Sequence, residues 1–363
     1  MTLTHVQDLD TPALLVHRSR LEGNIAGMQR VADQAGVRLR PHIKTHKSKE
    51  IAKLQLAAGA KGLTCAKLSE AEAMSEVCDD LLVAYPIVGE AKFDRLEALS
   101  GRVRTRVSVE SLEAAQALNS YLARSGRTQE ALVKVESGLA RTGVEAGELR
   151  GFLEQVLRLD RIRVVGLFTH EGIAYRCSGR TEIAGLLAGI AGRLAGMRET
   201  FRQVVGIEPE VSPGCSLTAK ALTTSHGFTE IRPGTYVFAD TFCVESEVFA
   251  EEECALAVLV RVIAVKGDGR VVVDGGSKTF AMDRHPRRGH GMVVGHPEIF
   301  FDRLSEEHGV LLTKTPERHR VGDLLEIIPA HVCPAVNLHD SLFLREGDEV
   351  LDEWRIDARG CVR

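Results

Sequence analysis

A lysine flanked by other basic side chains lies in the segment 40–47, which reads RPHIKTHK. The apolar alternation of residues 37–44 predicts a β-strand that ends at Lys44. Strand side chains alternate between faces, so we expect Arg40, His42 and Lys44 to project to the same side. Burial and neighbouring positive charge would disfavour an ammonium there and leave a free amine for Schiff-base chemistry. The same residues are equally compatible with a basic surface loop.

A histidine and a cysteine two residues apart form a second candidate site, in the segment His331-Val332-Cys333. If this segment is extended, both side chains lie on one face and can converge on one ion. Nitrogen and sulfur donors suit zinc best, and manganese, magnesium or other divalent ions less well. Two protein ligands would leave positions open for water and a substrate hydroxyl. A purely structural pair is the alternative, and nothing in the sequence makes His339 or Asp340 a third ligand.

Other reactive side chains follow predicted strands. Arg141 comes after the strand 131–135, and His170 ends the strand 164–169. A histidine titrates near neutrality, so it can act as a general acid or base. The segment 211–216 (VSPGCS) combines small residues with backbone N–H groups, which suits a phosphate. Each feature alone is equally well explained as a loop charge, a packed histidine or a turn, whereas together they favour a functional site.

The elements that must position these residues alternate through the first two thirds of the chain. Short apolar runs at 13–16, 37–44, 62–65, 81–85, 103–109, 131–135 and 164–169 are separated by helical patterns at 18–35, 48–58, 69–77, 90–99, 111–125, 146–157 and 181–204. This α/β alternation predicts parallel strands with right-handed crossovers. A repeat count near eight favours a (β/α)8 TIM barrel, in which catalytic residues lie at the carboxyl ends of the strands.

The pattern changes after residues 233–234, where short strands with glycine-containing turns replace the alternation. Strands are predicted at 256–265, 270–274, 323–328, 341–345 and 349–355. Their spacing is typical of an antiparallel β domain. We therefore predict a barrel over residues 1–240 and a C-terminal antiparallel β domain over residues 241–363 that carries the metal site.

Length and composition restrict the class of protein. At 363 residues with 44% hydrophobic content, the chain can bury a large core and is long enough for two domains. A formal net charge of −4 with mixed signs provides no basic footprint for nucleic acid. No stretch approaches the roughly 20 apolar residues of a membrane span, and the first residues lack a signal-peptide layout. The eight scattered cysteines predict reduced thiols and a cytoplasmic location.

The segment 40–47 resembles the pyridoxal phosphate lysine motif of the D-threonine aldolase and D-serine dehydratase family, which is related to the alanine racemase-type, fold-type III enzymes. The resemblance runs from residues 10–13 (DTPA) to residues 331–334 (HVCP) and 354–360 (WRIDARG), so it covers nearly the whole chain. It implies the barrel fold, a homodimer, and Lys44 rather than Lys47 as the residue that carries pyridoxal 5'-phosphate.

The same resemblance assigns roles to other residues of this chain. It implies that Arg141 contacts the pyridine nitrogen of the cofactor and that His170 lies beside the reacting substrate. It implies that His331 and Cys333 bind a catalytic divalent metal, with zinc expected first. It also implies cofactor contacts from further residues, namely Tyr175, Ser212, Gly214, Cys215 and Tyr236.

The implied activity is that of a lyase acting on D-3-hydroxy amino acids. If His170 or a metal-bound water removes the hydroxyl proton, the Cα–Cβ bond breaks, and D-threonine gives glycine and acetaldehyde. If Lys44 removes the α-proton instead, hydroxide leaves and a keto acid and ammonia form, as in a D-serine or 3-hydroxy-D-aspartate dehydratase. Residues 337–340 and 354–360 resemble the aldolase branch, whereas Cys333 resembles the dehydratases. We expect the aldolase, because the tail match is longer.

Three other functions compete with the lyase. A racemase would need a second catalytic tyrosine from the β domain, and a His-x-Cys metal pair would be superfluous. A non-catalytic carrier of pyridoxal phosphate would resemble the barrel alone, which the second domain argues against. A protein-interaction scaffold would bind no cofactor. We therefore predict a small D-amino acid as the partner, and neither nucleic acid nor a membrane.

Overall fold

The computed structural model describes residues 5–363, which divide into two compact units. The first, here called the parallel unit, consists of Gly27–Lys44, Ile51–Gly234 and Cys361–Arg363. The second, here called the antiparallel unit, consists of the chain up to Ala26, Thr45–Glu50 and Thr235–Gly360. Within the described residues, no helix has the length and apolar character needed to cross a membrane.

Strands and helices alternate in the first part of the described chain, and strands dominate the last part. The strands are β1 (Ala13–His17), β2 (Arg38–Leu39), β3 (Leu63–Cys65), β4 (Asp80–Pro86), β5 (Arg104–Val109), β6 (Gln129–Lys134), β7 (Ile162–Phe168), β8 (Glu210–Ser212), β9 (Glu230–Ile231), β10 (Leu256–Val265), β11 (Arg270–Val273), β12 (Gly291–Val293), β13 (Phe300–Leu304), β14 (Gly309–Leu312), β15 (Leu324–Pro329), β16 (Ser341–Glu346) and β17 (Glu349–Arg355). The helices are α1 (Arg18–Ala35), α2 (Lys49–Ala57), α3 (Leu68–Met74), α4 (Glu90–Ser100), α5 (Leu112–Ala123), α6 (Leu149–Val156), α7 (Arg180–Val205), α8 (Ser216–Lys220), α9 (Thr241–Glu245), α10 (Ser277–Phe280) and α11 (Val332–Asn337).

The parallel unit is built on a sheet whose strands follow one another in chain order. Strands β3 to β8 form one six-stranded parallel sheet, and β2 and β9 form a separate parallel pair. The residues of β3, β5 and β6 are almost all buried, as expected for a parallel sheet that is covered on both faces. Together with the antiparallel unit, this gives an α/β fold with a parallel half-barrel sheet and an antiparallel C-terminal sheet.

Local sequence signals explain where the helices of the parallel unit begin, pack and end. The Ser111 side chain accepts a hydrogen bond from Ala114 N–H at 3.1 Å and caps the start of α5. Helix α6 buries Leu149, Leu153 and Val156, which recur at helical spacing on one face. Helix α7 ends at Gly206, whose φ of 81° is left-handed and favours glycine.

A buried charge network ties the strands of the parallel unit together. Arg40 Nε donates to Glu230 Oε2 at 2.9 Å, and Arg40 Nη2 donates to Asp80 Oδ2 at 3.0 Å. Arg106 donates to Asp80 at 3.1 Å and to Glu210 at 2.7 Å. Buried charges require such partners, because an unpaired charge in the interior is costly. The network therefore ties the segment before Lys44 to strands β4, β5, β8 and β9.

The main sheet of the antiparallel unit combines strands from the first and the last parts of the described chain. The main order is β13-β14-β11-β10-β1-β16-β17, and β15 pairs with both β10 and β12. Strand β1 runs antiparallel to β10, with Leu15 opposite Ala257, and parallel to β16, with Leu15 opposite Phe343. Leu15 packs with Leu9 and Leu259 in one buried cluster. Strands β12, β13 and β14 were not predicted from the sequence.

Two sequence-based expectations about strands are wrong. The run 13–16 does form a strand, but it joins the antiparallel sheet rather than opening the parallel series. The strand expected over 37–44 ends at Leu39, and Lys44 lies in the 3-10 helix Ile43–Thr45. Pro41 has no N–H with which to extend the strand ladder. Strand alternation therefore does not relate Lys44 to Arg40.

Candidate active site

Lys44 is held by a tight turn just after β2. His42 N–H donates to Pro233 O at 2.9 Å, and His42 Nδ1 accepts from Lys44 N–H at 3.4 Å. The Lys44 side chain is half-buried. Its positive charge acts on His170, whose pKa it helps to lower. The parallel unit thus brings these two predicted site residues within electrostatic range of each other.

His170 is a neutral ring with a defined tautomer. Burial, together with the positive charges of Lys44, Arg141 and Arg232, lowers the pKa of His170 to about 3. Its Nδ1 lies 2.5 Å from the carbonyl oxygen of Gly214. A carbonyl can only accept a hydrogen bond, so Nδ1 carries the proton. In the neutral ring, Nε2 therefore keeps its lone pair and can accept a proton.

Arg141 is positioned by a loop that winds around one carboxylate after β6. Glu136 Oε1 accepts from Gly138 N–H and Leu139 N–H, both at 2.6 Å, and Oε2 accepts from Arg141 N–H at 3.4 Å. Burial opposes the ionised form, but these hydrogen bonds outweigh it and lower the pKa of Glu136. The loop presents a permanent positive charge that acts on His170.

The loop after β8 packs against a buried arginine. Ser212 Oγ donates to Glu230 Oε1 and accepts from Arg232 Nε, both at 2.9 Å. A Cβ on Gly214 would lie 3.0 Å from the Arg232 guanidinium, so a side chain there would have to displace it. Burial raises the pKa of the Cys215 thiol to about 12, so this sulfur stays protonated.

The short 3-10 helix Gly172–Arg176 follows His170 and contains Tyr175, which is half-buried. A Cβ on Gly172 would lie 2.9 Å from His170 Nε2. Glycine at this position therefore keeps the proton-accepting nitrogen clear of the following chain.

The charges of this region suit pyridoxal phosphate, which combines an anionic phosphate with an aldehyde. Lys44, Arg141 and Arg232 all exert positive charge on His170, which is itself neutral. Burial raises the pKa of the neighbouring Glu171 to about 7, whereas hydrogen bonds lower the pKa of Glu136. The region therefore offers an amine and two guanidinium groups that act on one point, and these residues fit this cofactor.

His331 and Cys333 lie at the start of a helix in the antiparallel unit, so the extended segment expected from the sequence is wrong. His331 immediately precedes α11, and Cys333 lies in its first turn. Buried Asp240 accepts a hydrogen bond from Val332 N–H at 3.2 Å, which stabilises a helix start there. The side chains of His331 and Cys333 nevertheless interact with each other.

Negative charge surrounds His331. Its Nδ1 lies 3.3 Å from Asp283 Oδ1. Burial lowers the pKa of His331, but the Cys333 sulfur and Asp283 outweigh it and raise it to about 11. Thr45, the residue after Lys44, has its Oγ1 3.2 Å from Cys333 Sγ.

This donor set fits a metal with two protein ligands. An imidazole nitrogen and a sulfur that already contact each other are suitable donors for zinc. Across residues 5–363, no group of three or more His, Cys, Asp or Glu side chains is arranged to hold a metal ion.

The predicted site residues fall in both units. Lys44, Arg141, His170, Tyr175, Ser212, Gly214 and Cys215 belong to the parallel unit, whereas Tyr236, His331 and Cys333 belong to the antiparallel unit. Tyr236 is buried in the 3-10 helix Thr235–Val237. The neighbouring Thr235 Oγ1 lies 3.9 Å from Cys333 Sγ.

Four residues that shape these sites were not predicted as functional: Glu136, Glu171, Arg232 and Asp283. Glu136 and Glu171 adjoin predicted site segments, and Arg232 lies four residues before Tyr236, so proximity in the chain was an available signal. Asp283 is 48 residues away from its partner His331 and had no such signal.

Comparison with known proteins covers both units. The model of the alanine racemase N-terminal domain matches residues 16–241, and a serine dehydratase domain model matches residues 255–345. D-threonine aldolase from Arthrobacter sp is 30% identical over 98% of this chain and 94% of its own length. D-threo-3-hydroxyaspartate dehydratase from Delftia sp. is 32% identical over 90% of this chain and 91% of its own length. The crystal structure of D-threonine aldolase from Filomicrobium marinum matches with a TM-score of 0.91 at 29% identity and covers 100% of both chains.

Proposed function

This chain belongs to the alanine racemase-like family of fold-type III pyridoxal phosphate lyases, and we propose that it cleaves D-3-hydroxy amino acids with the help of a divalent metal. D-Threonine is the proposed substrate, and glycine and acetaldehyde are the proposed products. The observation that carries this proposal is a neutral His170 whose Nε2 can accept a proton within electrostatic range of Lys44.

We also propose that strands β2 to β9 close into a (β/α)8 barrel and that the second domain begins near residue 240. Thr64 N–H donates to Pro41 O at 2.8 Å, and Thr229 N–H donates to Val211 O at 2.9 Å. These bonds lie at the two gaps between the β2–β9 pair and the six-stranded sheet. They support closure, since a closed barrel leaves no open sheet edge.

The proposed cofactor contacts follow from the charges of the parallel unit. Lys44 would hold pyridoxal phosphate through its amine, and Arg141 would donate to the pyridine nitrogen. The loop from Ser212 to Cys215 would face the phosphate, with Arg232 behind it. When bound, the cofactor supplies an electron sink for the electron pair left on the substrate's α-carbon.

His170 supplies the base that the cleavage requires. Its Nε2 accepts the proton of the substrate's β-hydroxyl, while Nδ1–H remains bonded to the Gly214 carbonyl. The hydroxyl carbon becomes a carbonyl, the Cα–Cβ bond breaks, and acetaldehyde leaves. The electron pair of the broken bond stays on the α-carbon, which then takes a proton to give glycine. Because the pKa of His170 is lowered to about 3, the ring is neutral at physiological pH.

We propose that His331 and Cys333 hold the divalent metal, zinc first, with manganese or magnesium as alternatives. The mutual contact of these side chains supports this assignment. A metal there would supply a Lewis acid that polarises the substrate hydroxyl. Asp283 would orient the His331 ring, as carboxylates often do for metal-binding histidines.

A dehydratase acting on D-serine or 3-hydroxy-D-aspartate is the second candidate. The cysteine at position 333 favours it, and a dehydratase is among the relatives. In that reaction Lys44 would remove the α-proton, and the β-hydroxyl would leave as hydroxide, which gives a keto acid and ammonia after hydrolysis.

Product analysis separates the two candidates. The purified protein is incubated with pyridoxal phosphate, a divalent metal and D-threonine, and acetaldehyde and 2-oxobutanoate are quantified separately. We expect acetaldehyde and glycine from D-threonine and no product from L-threonine. A yield of 2-oxobutanoate and ammonia would establish the dehydratase instead. Absence of turnover by the cofactor-loaded protein, with D-serine tested in parallel, would contradict both.

We also propose that Tyr175 and Tyr236 contact the cofactor. A homodimer and a cytoplasmic location are two further predictions. Among the described residues all eight cysteines are free of disulfides, which agrees with the expected reduced thiols. Light scattering of the purified protein tests the homodimer.

A further inference from the structure

A buried carboxylate next to His170 has no part in the reaction described above. Glu171 has an exposed fraction of 0%. Its Oε2 accepts a hydrogen bond from Gly214 N–H at 2.8 Å. Its Oε1 has no hydrogen-bond partner in any other residue that the structure describes. Burying a carboxylate with one unsatisfied oxygen is costly, which points to a role beyond packing.

Glu171 and His170 hold the same glycine at its two polar backbone groups. Glu171 binds the amide of Gly214, and His170 Nδ1 binds the carbonyl of Gly214 at 2.5 Å. Because consecutive residues hold one glycine, the position of Gly214 determines the orientation of the imidazole. A shift of the amide would move the carbonyl that keeps the proton on Nδ1.

Arg232 connects the same loop to the end of β7. Its Nη2 donates to Ser212 O at 3.0 Å and to Thr169 O at 2.5 Å. Its positive charge also attracts the Glu171 carboxylate. The loop and the chain around His170 are therefore joined at two places, once by the arginine and once by the glutamate.

We propose that Glu171 is a positioning residue, which holds Gly214 so that the proton of His170 stays on Nδ1 and the lone pair stays on Nε2. Without the Gly214 bond, the loop moves and the imidazole ring exchanges tautomers. The same movement displaces the loop that would face the cofactor phosphate. This last effect rests on the proposed function, whereas the effect on the tautomer rests on the hydrogen bonds alone.

A role in charge balance is the alternative, because Glu171 could serve only to compensate Arg232. Two substitutions separate the roles. Glu171→Gln removes the charge but keeps an oxygen that can accept from Gly214 N–H. Glu171→Asp keeps the charge but withdraws the carboxylate by one methylene. Positioning predicts that Gln preserves the tautomer and Asp does not, and charge balance predicts the reverse.

Nitrogen-15 NMR of the His170 ring in the cofactor-free protein measures the tautomer directly. We expect Nδ1-protonated His170 in the wild type and in Glu171→Gln, and a mixture of tautomers in Glu171→Ala and Glu171→Asp. Titration with pyridoxal phosphate should give a dissociation constant about tenfold higher in the Ala and Asp variants, the scale of one lost hydrogen bond to a charged group. The Gln variant should change it by less than about threefold.

Glu70→Ala is the matched control. Glu70 is another buried carboxylate, in the first turn of α3, and it accepts from Ala66 N–H at 2.6 Å. We expect this variant to lose stability without changing the His170 spectrum. If Glu171→Ala does not fold, the comparison of Gln with Asp decides the matter.

An unchanged His170 spectrum in a folded Glu171→Ala or Glu171→Asp variant would overturn the proposal. A change in Glu171→Gln as large as in Glu171→Asp would also overturn it. If the spectra change as expected but the wild type has no lyase activity, the proposed function fails and the positioning role stands.

Discussion

Two histidines in different units have opposite electrostatic surroundings. In the parallel unit, burial and the charges of Lys44 and Arg141 lower the pKa of His170 to about 3. In the antiparallel unit, Cys333 and Asp283 outweigh burial and raise the pKa of His331 to about 11. Burial lowers the pKa of both rings, so the charged neighbours cause the difference.

The surroundings of an imidazole can thus prepare it for two kinds of chemistry. Cationic neighbours and a backbone carbonyl leave His170 neutral, with a nitrogen that can accept a proton. The carboxylate of Asp283 and the sulfur of Cys333 give His331 surroundings that favour a positive charge on or beside its ring. The two regions should therefore respond differently to substitution.

The largest expected effect comes from Lys44→Ala. Without this amine, the protein should lose the absorbance of the covalently bound cofactor, and kcat/KM should fall by about 10⁴-fold or more. Lys47→Ala is the matched control from the same segment, because Lys47 Nζ donates to Asn337 Oδ1 at 2.7 Å. Loss of the cofactor absorbance in Lys47→Ala, with Lys44→Ala unaffected, would reverse the assignment.

His170→Gln should lower kcat/KM by about 10²–10⁴-fold, the range for removal of a general base, while the cofactor absorbance persists. The wild-type profile of kcat/KM against pH should show no titration of this ring near 6.5, since its pKa is lowered to about 3. A kcat/KM within about threefold of wild type would remove His170 from the mechanism.

The lowered pKa of His170 also predicts that the free energy of unfolding depends on pH. Below pH 6.5 the unfolded chain binds a proton at this ring, whereas the folded protein does so only near pH 3. Its contribution to the free energy of unfolding therefore falls as the pH decreases across this window. The His170→Gln variant should lack this contribution in urea denaturation at several pH values.

Glu171→Gln tests a second titrating group of the parallel unit, whose effect on stability has the opposite dependence on pH. Burial raises the pKa of Glu171 from 4.5 to about 7 against the attraction of Arg232, while His170 is neutral and Cys215 protonated. The folded protein thus retains a proton that the unfolded chain releases, so wild-type stability falls as the pH rises through this window. The variant should be more stable than the wild type by about 3 kcal/mol above this window and equally stable below it. A difference that is independent of pH would contradict this account.

The smallest expected effect is in the antiparallel unit. Asp283→Asn should weaken metal binding by about 10–100-fold, because the carboxylate no longer orients His331. The cofactor absorbance should not change. Competition with a chelator measures the affinity, and Asp302→Asn serves as a control because Asp302 pairs with Arg303 on the surface. Equal metal affinity in the two variants would mean that Asp283 does not orient the ligand.

The sequence predicted the alternation of the parallel unit and several bounds of the antiparallel unit well, because those elements have strong apolar periodicity. The predicted strand 256–265 matches β10, and 349–355 matches β17. The predicted strand 37–44 is too long, because Pro41 and the His42 side chain end the strand early. Apolar alternation alone does not reveal such an end. Strand β1 was predicted in the wrong sheet because its partners, β10 and β16, are remote in the chain.

The sites could be predicted only where chemistry is concentrated in short motifs. Segments 40–47 and 331–333 were predicted as sites from residue type and spacing. The helix at Cys333 depends on Asp240, and the tautomer of His170 depends on Gly214 and Glu171. Such contacts join residues far apart in sequence, so only the folded structure reveals them.

Cleavage of D-threonine in D₂O, followed by proton NMR, tests the central claim most directly. Breaking the Cα–Cβ bond leaves the original α-hydrogen in place and adds one hydrogen from solvent. We therefore predict glycine with one deuterium, in equal amount to acetaldehyde. Formation of 2-oxobutanoate, in which the α-hydrogen is lost, would contradict the aldolase and assign the reaction to a dehydratase.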